Sequence, residues 1–342
     1  MKKGMNRREV LQAGAGLALT AALGTSFAAS LIANALAEDL PATPEAGAIK
    51  MAIEPWLGYG QWHIAAKKGL FKDNGLGEVE IVNFTTDADL NAALASGQVN
   101  CANIATHTAM AFAAAGLPIK IVALLDVSMT ADAMLTDGSA TSIKDLKGKQ
   151  VAYEEGTTSD ILLNYALSKN GMTIADIQKV PMPAADAGTA LIAGKVPVAV
   201  TYEPYLTTAM KENSKTKMIY AASEEPGLIS DVLVVNEKFL QEKPGQILAL
   251  LKTWDAAYAA YQADTKGSRA IISEAVGAPP ADLETAFDGV KYYSIAENKT
   301  QLGGDYKNKV MPAVKDAATK AGILTKDVDG PGLIDPRFVA AA

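Results

Sequence analysis

The chain has 342 residues, 49% of them hydrophobic, with one cysteine, two histidines and a formal net charge of −7. That length is too great for one comfortable core and predicts two lobes of about 150 residues each. An acidic chain argues against nucleic acid or an anionic membrane surface as its partner. The lone Cys101 excludes a disulfide framework and a thiol metal site, and we expect neither a metal nor a cofactor.

Residues 1–37 predict an export signal, which is set aside from the fold. A basic head precedes an Ala/Gly/Leu-rich run over 13–36, and Ala35-Leu36-Ala37 is a small-x-small cleavage site. The pair Arg7-Arg8, followed by residues 9–12 (EVLQ), resembles a twin-arginine signal. The alternative is a retained membrane anchor, which the many Ala, Gly and Ser residues disfavour. We therefore expect cleavage and a periplasmic protein exported by the twin-arginine route.

From residue 48 onward, strand-like and helix-like runs alternate, a pattern typical of mostly parallel sheets covered by helices. In the first part, strands are predicted over 49–53, 79–84, 99–105, 119–125 and 133–136, and helices over 64–71, 89–96 and 109–115. In the second part, strands are predicted over 151–153, 180–182 and 198–201, and helices over 160–169 and 184–192.

A return strand over 229–235 leads into a largely helical tail, with helices predicted over 244–261, 268–274, 281–288 and 307–321. Polar residues crowd the stretch 126–132, which is natural for a crossover between lobes. We expect a discontinuous first lobe, residues 48–131 and 235–342, and a second lobe, residues 132–234.

The stretch 53–71 places Trp56, Tyr59 and Trp62 around two glycines, between a strand and a helical run that begins near His63. Aromatic side chains clustered on a glycine-rich loop indicate a flat apolar platform for a ligand. The alternative is a hydrophobic staple that packs the turn onto the sheet.

Three groups of motifs carry a family resemblance. They are Trp56-x-Gly58-Tyr59 with Gly69-Leu70-Phe71; the IKDLKGK run at 143–149 before Val151-Ala152 and Glu155-Gly156-Thr157; and Glu203-Pro204-Tyr205. In this order, after an export signal, the chain resembles the type II periplasmic solute-binding proteins of ABC importers. The branch is the one for nitrate, alkanesulfonates, taurine and thiamine pyrimidine precursors, and the resemblance covers residues 51–264.

The resemblance implies an α/β fold of two lobes, each a mostly parallel sheet flanked by helices, joined by a two-stranded crossover hinge. Such lobes close on a small-molecule ligand and deliver it to a membrane permease with its ATPase. We expect the protein to act as a monomer.

Eighteen side chains lie on loops that should face the cleft between the lobes. These predicted ligand contacts are Trp56, Tyr59, Gln61, Trp62, Thr85, Asp87, Thr106, His107, Thr108, Ser128, Asp132, Glu155, Thr157, Thr158, Ser159, Tyr202, Glu203 and Tyr205. No lysine or arginine is among them, which favours a ligand with a cation or amine donors. A bare anion could still be held by helix-start amides at 157–159.

Several of these residues have a plainer interpretation. Thr85, Thr157 and Thr158 could be helix caps, Glu203 a surface turn residue, and His107 a packed loop residue. The aspartates at 87, 126 and 132 could equally cap, pair at the hinge or contact a ligand.

The predicted function is transport-associated binding, without catalysis, of a small amine-bearing compound such as a taurine-like aminosulfonate or an aminopyrimidine. A nitrate or alkanesulfonate carrier that uses neutral donors is the alternative. An enzyme is a third, because the fold also resembles menaquinone-pathway enzymes and the fungal pyrimidine synthase. No His-Cys or Ser-His-Asp arrangement supports catalysis. A binding subunit for a chemoreceptor or sensor kinase is a further possibility that the residues leave open.

Overall fold

The computed structural model describes residues 40–342, with Asp87 described by its backbone alone. The predicted export signal, residues 1–37, lies outside the described residues. Within 40–342, no helix combines the length and apolar character needed to cross a bilayer.

The described residues form two β-sheets. The strands are β1 (Ile49–Ile53), β2 (Val79–Asn83), β3 (Cys101–Ala105), β4 (Ile119–Ser128), β5 (Asp132–Thr136), β6 (Gln150–Tyr153), β7 (Gln178–Pro181), β8 (Val198–Tyr202), β9 (Lys217–Ala221), β10 (Ser230–Asn236) and β11 (Val290–Tyr292). The first sheet has the order β11-β4-β10-β3-β1-β2, and the second has the order β7-β6-β8-β5-β9.

Helices flank both sheets. They are α1 (Gly60–Lys68), α2 (Leu70–Asp73), α3 (Asp87–Ala95), α4 (Thr106–Ala114), α5 (Thr158–Lys169), α6 (Ala184–Ile192), α7 (Tyr205–Glu212), α8 (Glu237–Glu242), α9 (Pro244–Ala263), α10 (Thr265–Ala275), α11 (Ile295–Gln301), α12 (Met311–Lys320) and α13 (Arg337–Ala341). A π-helical turn, Tyr306–Val310, leads directly into α12.

Most strands of each sheet run in one direction. Parallel pairing joins β1 to β2 and β3, and joins β6 to β7 and β8. The strands that run the other way include β5 and β10, which pair antiparallel with β8 and β3. These two are also the strands on which the chain enters a new sheet. The predicted α/β fold of two mostly parallel sheets is therefore confirmed.

The chain crosses between the sheets twice. Residues 129–131 connect β4 to β5, and residues 222–229 connect β9 to β10. The first crossing is fixed by the Asp132 amide, which donates to Ser128 Oγ at 2.9 Å, and by the Glu203 amide, which donates to the Ala131 carbonyl at 2.9 Å. Because β10 pairs along its length with β3 and β4, residues 230–234 lie in the first sheet and not in the second.

The central strands of the first sheet are covered on both faces. Nearly every residue of β4 and β10 is buried, as expected for strands between two helical layers. The 20-residue helix α9 packs on α1 and buries Trp254 completely.

The helix predicted to begin near His63 and the helix predicted over 281–288 differ from the structure. Helix α1 begins at Gly60, three residues before His63, because the 3-10 turn Leu57–Tyr59 runs straight into it. It ends as predicted at Gly69, whose φ of 76° closes a left-handed C-cap. The helix predicted over 281–288 is wrong: this segment forms successive three-residue turns after Pro279 and Pro280, with a short 3-10 helix at Ala286–Gly289.

Candidate functional site

A cavity of about 40 Å³ lies between the two sheets. Its walls come from strand ends and helix starts of both. The lining residues are Glu54, Trp56, Tyr59, Ala105, Asp132, Glu154, Thr157, Thr158, Tyr202, Ile229 and Asp231.

The first-lobe wall is the loop that follows β1. Trp56 is buried, and its indole Nε1 donates to Asp126 Oδ1 at 3.1 Å. The ring meets Tyr202 of the second lobe edge-on, with 5.9 Å between centroids. Gly58 permits this arrangement, because a Cβ there would lie 2.1 Å from the Trp56 nitrogen and 2.3 Å from an Asp126 oxygen.

The second-lobe wall is the start of α5. Thr157 caps this helix, accepting a hydrogen bond from the Ser159 amide at 3.3 Å. Asp132, at the start of β5, is held by hydrogen bonds from the hydroxyls of Ser128 and Thr158. The aspartate therefore joins the crossover to the helix that faces the cavity.

Four carboxyl groups line the cavity, from Glu54, Asp132, Glu154 and Asp231, and none of the described lining residues is a lysine or arginine. Burial raises the pKa of Asp132 to about 7, and the nearby Glu203 adds to this effect. Burial also raises the pKa of Glu154. No lysine or arginine of the described lining therefore offsets the charged forms of Asp132 and Glu154.

A further carboxyl group, that of Asp126, lies directly behind this wall. Asp126 and Asp231 face each other across β4 and β10 and share a hydrogen bond. A bond between two carboxyl groups requires that one of them hold a proton. Burial raises the pKa of Asp126 accordingly.

Three helices of the second lobe have an acceptor side chain for one amide at or just before their first turn. The Asp160 carboxylate accepts from the Gly156 amide at 2.9 Å, Glu154 accepts from Ala184 at 3.0 Å, and Glu203 accepts from Thr207 at 3.0 Å. Helix α4 of the first lobe differs, because its N-cap is Ala105 and no side chain caps it. A hydrogen-bond acceptor on a ligand could therefore interact with the positive end of the α4 helix dipole.

The sequence pattern of the NMT1/THI5-like family matches residues 60–267, more than half of the chain. The chain belongs to the NMT1/THI5-like family. The predicted resemblance to periplasmic solute-binding proteins is confirmed as a resemblance of family and fold.

Two curated relatives of this NMT1/THI5-like chain carry the names of binding proteins, assigned to them by inference. One from Brucella abortus (strain 2308), an inferred binding protein, is 27% identical over 225 residues, which are 65% of this chain and 69% of the relative. One from Escherichia coli (strain K12), an inferred aliphatic sulfonates-binding protein, is 22% identical over 213 residues, which are 62% of this chain and 66% of the relative.

Solved structures share its fold. The alkanesulfonate-binding protein SsuA from Xanthomonas axonopodis pv. citri, bound to MOPS, has a TM-score of 0.71 at 19% identity and covers 85% of this chain and 99% of its own. The nitrate-binding protein NrtA from Synechocystis PCC 6803 has a TM-score of 0.60 at 16% identity, covering 82% and 86%. The desulfurization enzyme DszB has a TM-score of 0.63 at 11% identity, covering 86% and 98%. At these identities the likeness concerns the fold alone.

The structure brings six of the eighteen predicted residues to the cavity. They are Trp56, Tyr59, Asp132, Thr157, Thr158 and Tyr202. Their contact with a ligand stays a prediction. Tyr205 and Ser128 lie one layer behind, since Tyr205 packs edge-on against Tyr202 and Ser128 bonds Asp132.

Two predicted residues lie in the core of the first lobe instead. Because α1 begins at Gly60, Gln61 and Trp62 are helical and completely buried. The Trp62 indole donates to Asn103 Oδ1 at 2.8 Å and packs against Trp254, with 4.9 Å between ring centroids.

Two predicted glutamates do not line the cavity. Glu155 is exposed and paired with Lys179 at 2.8 Å. Glu203 is buried but turned into α7, where its two oxygens accept from the amide and hydroxyl of Thr207. Its interpretation as a surface turn residue is also wrong, because it is 3% exposed.

The polar triplet after β3 forms the first turn of α4, where all three residues are buried. Thr106 bonds the hydroxyls of Ser230 and Tyr306, each at 2.8 Å. The ring of His107 hydrogen-bonds the backbone of Gly156 in the second lobe, and lies 3.4 Å from the Thr108 hydroxyl. This triplet therefore ties elements together beside the cavity.

The remaining predicted residues are placed as follows. Thr85 is exposed in the turn before α3, Asp87 is the first residue of that helix, and Ser159 is buried in the first turn of α5.

Five of the lining residues are not among the predicted ligand contacts: Glu54, Ala105, Glu154, Ile229 and Asp231. Glu54 and Glu154 directly follow β1 and β6, so the strand-end rule could have found them. Asp231 is the second residue of β10, whose antiparallel direction brings its amino end beside Ala105, and only strand pairing reveals this.

Neither the two histidines nor the cysteine is poised for covalent or acid-base catalysis. Burial lowers the pKa of His63 and of His107 to about 4 and raises that of the Cys101 thiol to about 12. The buried cysteine is thus a thiol and not a thiolate nucleophile at neutral pH.

Proposed function

We propose that this protein is the exported substrate-binding component of an ABC importer. It reaches the periplasm by the twin-arginine route, captures a small amine-bearing organic compound between its lobes, and delivers it as a monomer to a membrane permease. A taurine-like aminosulfonate or an aminopyrimidine is the expected type of ligand.

The composition of the cavity wall is the observation that carries this proposal. Four carboxyl groups and three aromatic rings face a space between two lobes, and no lysine or arginine stands among the described lining residues. Carboxylates accept hydrogen bonds from amines, and aromatic faces attract cations. Membership in the NMT1/THI5-like family and the solute-binding names of several relatives support transport as the purpose of the binding.

A nitrate or alkanesulfonate carrier is the second candidate. The start of α4 supports it, because no side chain caps that helix at the cavity. Two structural relatives are named for these anions. Against it stand the four carboxyl groups, because each one that is ionised would repel an anion, and Asp132, with a pKa of about 7, is fully charged only above neutral pH.

Catalysis is disfavoured although one relative in fold is the desulfurization enzyme DszB. The two histidines have pKa values lowered by burial, and the thiol of Cys101 is buried and protonated. A bound compound should therefore be recovered chemically unchanged after incubation with the protein.

The test is to purify the protein without denaturation and weigh the intact complex by native mass spectrometry, then titrate it calorimetrically. Taurine and an aminopyrimidine are compared with nitrate and ethanesulfonate. Binding of an amine-bearing compound below millimolar concentration, without binding of the simple anions, supports the proposal. Binding of nitrate or ethanesulfonate alone would favour the anion carrier.

A further inference from the structure

The four carboxyl groups of the cavity come in matched pairs, one pair from each lobe. In the first lobe Glu54 follows β1 and Asp231 lies at the start of β10. In the second lobe Glu154 follows β6 and Asp132 begins β5. Each aspartate stands on the strand by which the chain enters its sheet, paired with the last residue of a neighbouring strand, Ala105 or Tyr202. Both lobes therefore bring the same kind of charge to one space.

Little positive charge is available to balance an acidic group of a ligand. The amides of Gly156, Ala184 and Thr207, at the starts of three second-lobe helices, already donate to side chains of this protein. No side chain caps the start of α4, but a helix end supplies only about half an elementary charge. A sulfonate or carboxylate on the ligand would face four carboxyl groups, with no lysine or arginine among the described lining residues.

The aromatic part of the wall suits a positive charge. Trp56 and Tyr59 come from the first lobe and Tyr202 from the second, and the rings of Trp56 and Tyr202 meet across the cleft at 5.9 Å. The faces of such rings are negative and attract an ammonium or guanidinium group. The cavity volume of about 40 Å³ limits the ligand to a small one.

We propose that the ligand is a small organic cation with a net positive charge and no acidic group, bound between Glu54 and Asp231 of one lobe and Glu154 and Asp132 of the other. This inference rests on the proposed function, because it concerns the same cleft, and it narrows the ligand by excluding aminosulfonates. The cation also has a mechanical role. Like charges on facing lobes repel, so neutralising them favours closure.

Three probes with one two-carbon frame test the charge of the ligand. Ethanolammonium is a cation, taurine a zwitterion and ethanesulfonate an anion, and each is titrated calorimetrically at pH 8, above the pKa of Asp132. We expect ethanolammonium to bind at least about tenfold more tightly than taurine, with no binding of ethanesulfonate. Small-angle scattering should record a more compact protein with ethanolammonium than without it.

A matched pair of variants locates the effect in the cavity. Glu154→Gln keeps an oxygen that can accept from the Ala184 amide but removes the charge, and should weaken ethanolammonium binding about tenfold. Glu155→Gln changes the neighbouring residue, which is paired with Lys179 outside the cavity, and should leave the affinity unchanged. Equal weakening by both variants would overturn the assignment.

The outcomes separate this inference from the function on which it rests. Taurine binding more tightly than ethanolammonium would overturn the net-cation inference and leave an amine-binding protein. Ethanesulfonate binding more tightly than both would overturn the amine ligand as well. If small-angle scattering shows equal compaction with magnesium chloride alone, the cation that closes the cleft is a metal ion and not an organic cation. If no probe binds, the compound retained in native mass spectrometry decides: an acidic group in it refutes the inference, and a cation without one supports it.

Discussion

The segment after β1 contains two tryptophans six residues apart that have opposite roles. Trp56, in the loop half (residues 54–59), lines the cavity and meets Tyr202 of the other lobe. Trp62, in the helix half (residues 60–68), packs against Phe71 and Trp254 within its own lobe. Both are buried, and both indoles donate to a buried side chain. Burial and hydrogen bonding alone therefore do not separate a wall residue from a core residue. Contact with the other lobe does separate them, because Trp56 has such a contact in Tyr202 and Trp62 packs within its own lobe.

The acceptors of the two indoles differ in a way that matches these roles. Trp62 donates to Asn103, an amide that holds no charge at any pH, and Asn103 in turn donates to the Ala52 carbonyl at 2.9 Å. Trp56 donates to Asp126, which shares a hydrogen bond with Asp231. The helix half is thus anchored by neutral groups, and the loop half rests on groups that titrate.

The largest expected effect is on the helix half. Trp62→Ala removes a completely buried indole and should lower the free energy of unfolding by about 3–5 kcal/mol, measured by urea denaturation. Trp62→Phe is the control, since it keeps most of the packing and loses the bond to Asn103. A loss below about 1 kcal/mol for the alanine variant would contradict a core role.

Adding one methyl group to each half should separate their roles. In Gly58→Ala the new Cβ would meet the Trp56 nitrogen at 2.1 Å and the Asp126 carboxyl at 2.3 Å. We expect a loss of about 1–3 kcal/mol in stability and weaker ligand binding, because the indole must move. In Gly60→Ala the Cβ would meet the flexible end of Ile272 at 2.4 Å. Gly60→Ala should lower stability without weakening ligand binding. An equal loss of affinity in both variants would contradict the different roles of the two halves.

Trp56→Ala should act mainly on binding. We expect the affinity for ethanolammonium, or for the amine-bearing compound found to bind, to fall at least about tenfold, which corresponds to about 1.4 kcal/mol. The loss of stability should be smaller than for Trp62→Ala, because one face of the Trp56 ring borders the cavity. If Trp56→Ala lowers stability as much as it lowers ligand affinity, the loop half serves packing alone.

The titrating groups under the loop half predict a pH dependence of stability. Burial raises the pKa of Asp132 to about 7 and also raises that of Asp126, which faces Trp56, Asp231 and Asp132. Their stabilising contribution is complete below the unfolded pKa and is lost as the pH rises through the folded pKa. Between pH 8 and pH 6.5, unliganded protein should therefore gain on the order of 1 kcal/mol per group as the pH falls.

Thermal unfolding of Asp132→Asn checks this sign, since the variant should have a flatter profile over that range. The range stops at pH 6.5 because His63 and His107, whose pKa values burial lowers to about 4, oppose the trend in more acidic solution. A wild-type midpoint that rises from pH 6.5 to pH 8 would refute the prediction.

Much of the fold could be predicted from the sequence. The alternation of strand and helix patterns predicted the α/β class, because strands and helices are encoded in local hydrophobic periodicity. Chain length and the family resemblance predicted the two lobes, and the polar stretch 126–132 predicted the crossing near Asp132. Less of the cavity could be predicted. Trp56, Tyr59 and Thr157 were found because they follow strands and precede helices, where ligands collect in α/β folds.

What the sequence by itself determined is therefore the two-lobed architecture and the acid-rich, aromatic character of the strand ends. Only the tertiary structure decided which acids face the cavity. Glu154 lines it and Glu155 does not, because the chain turns after β6 and sends neighbouring side chains in opposite directions. Asp231 reaches it because β10 runs antiparallel to β3. The same distinction holds for the tryptophans: the sequence places them together, and the start of α1 at Gly60 sends Trp62 into the core and leaves Trp56 at the cleft.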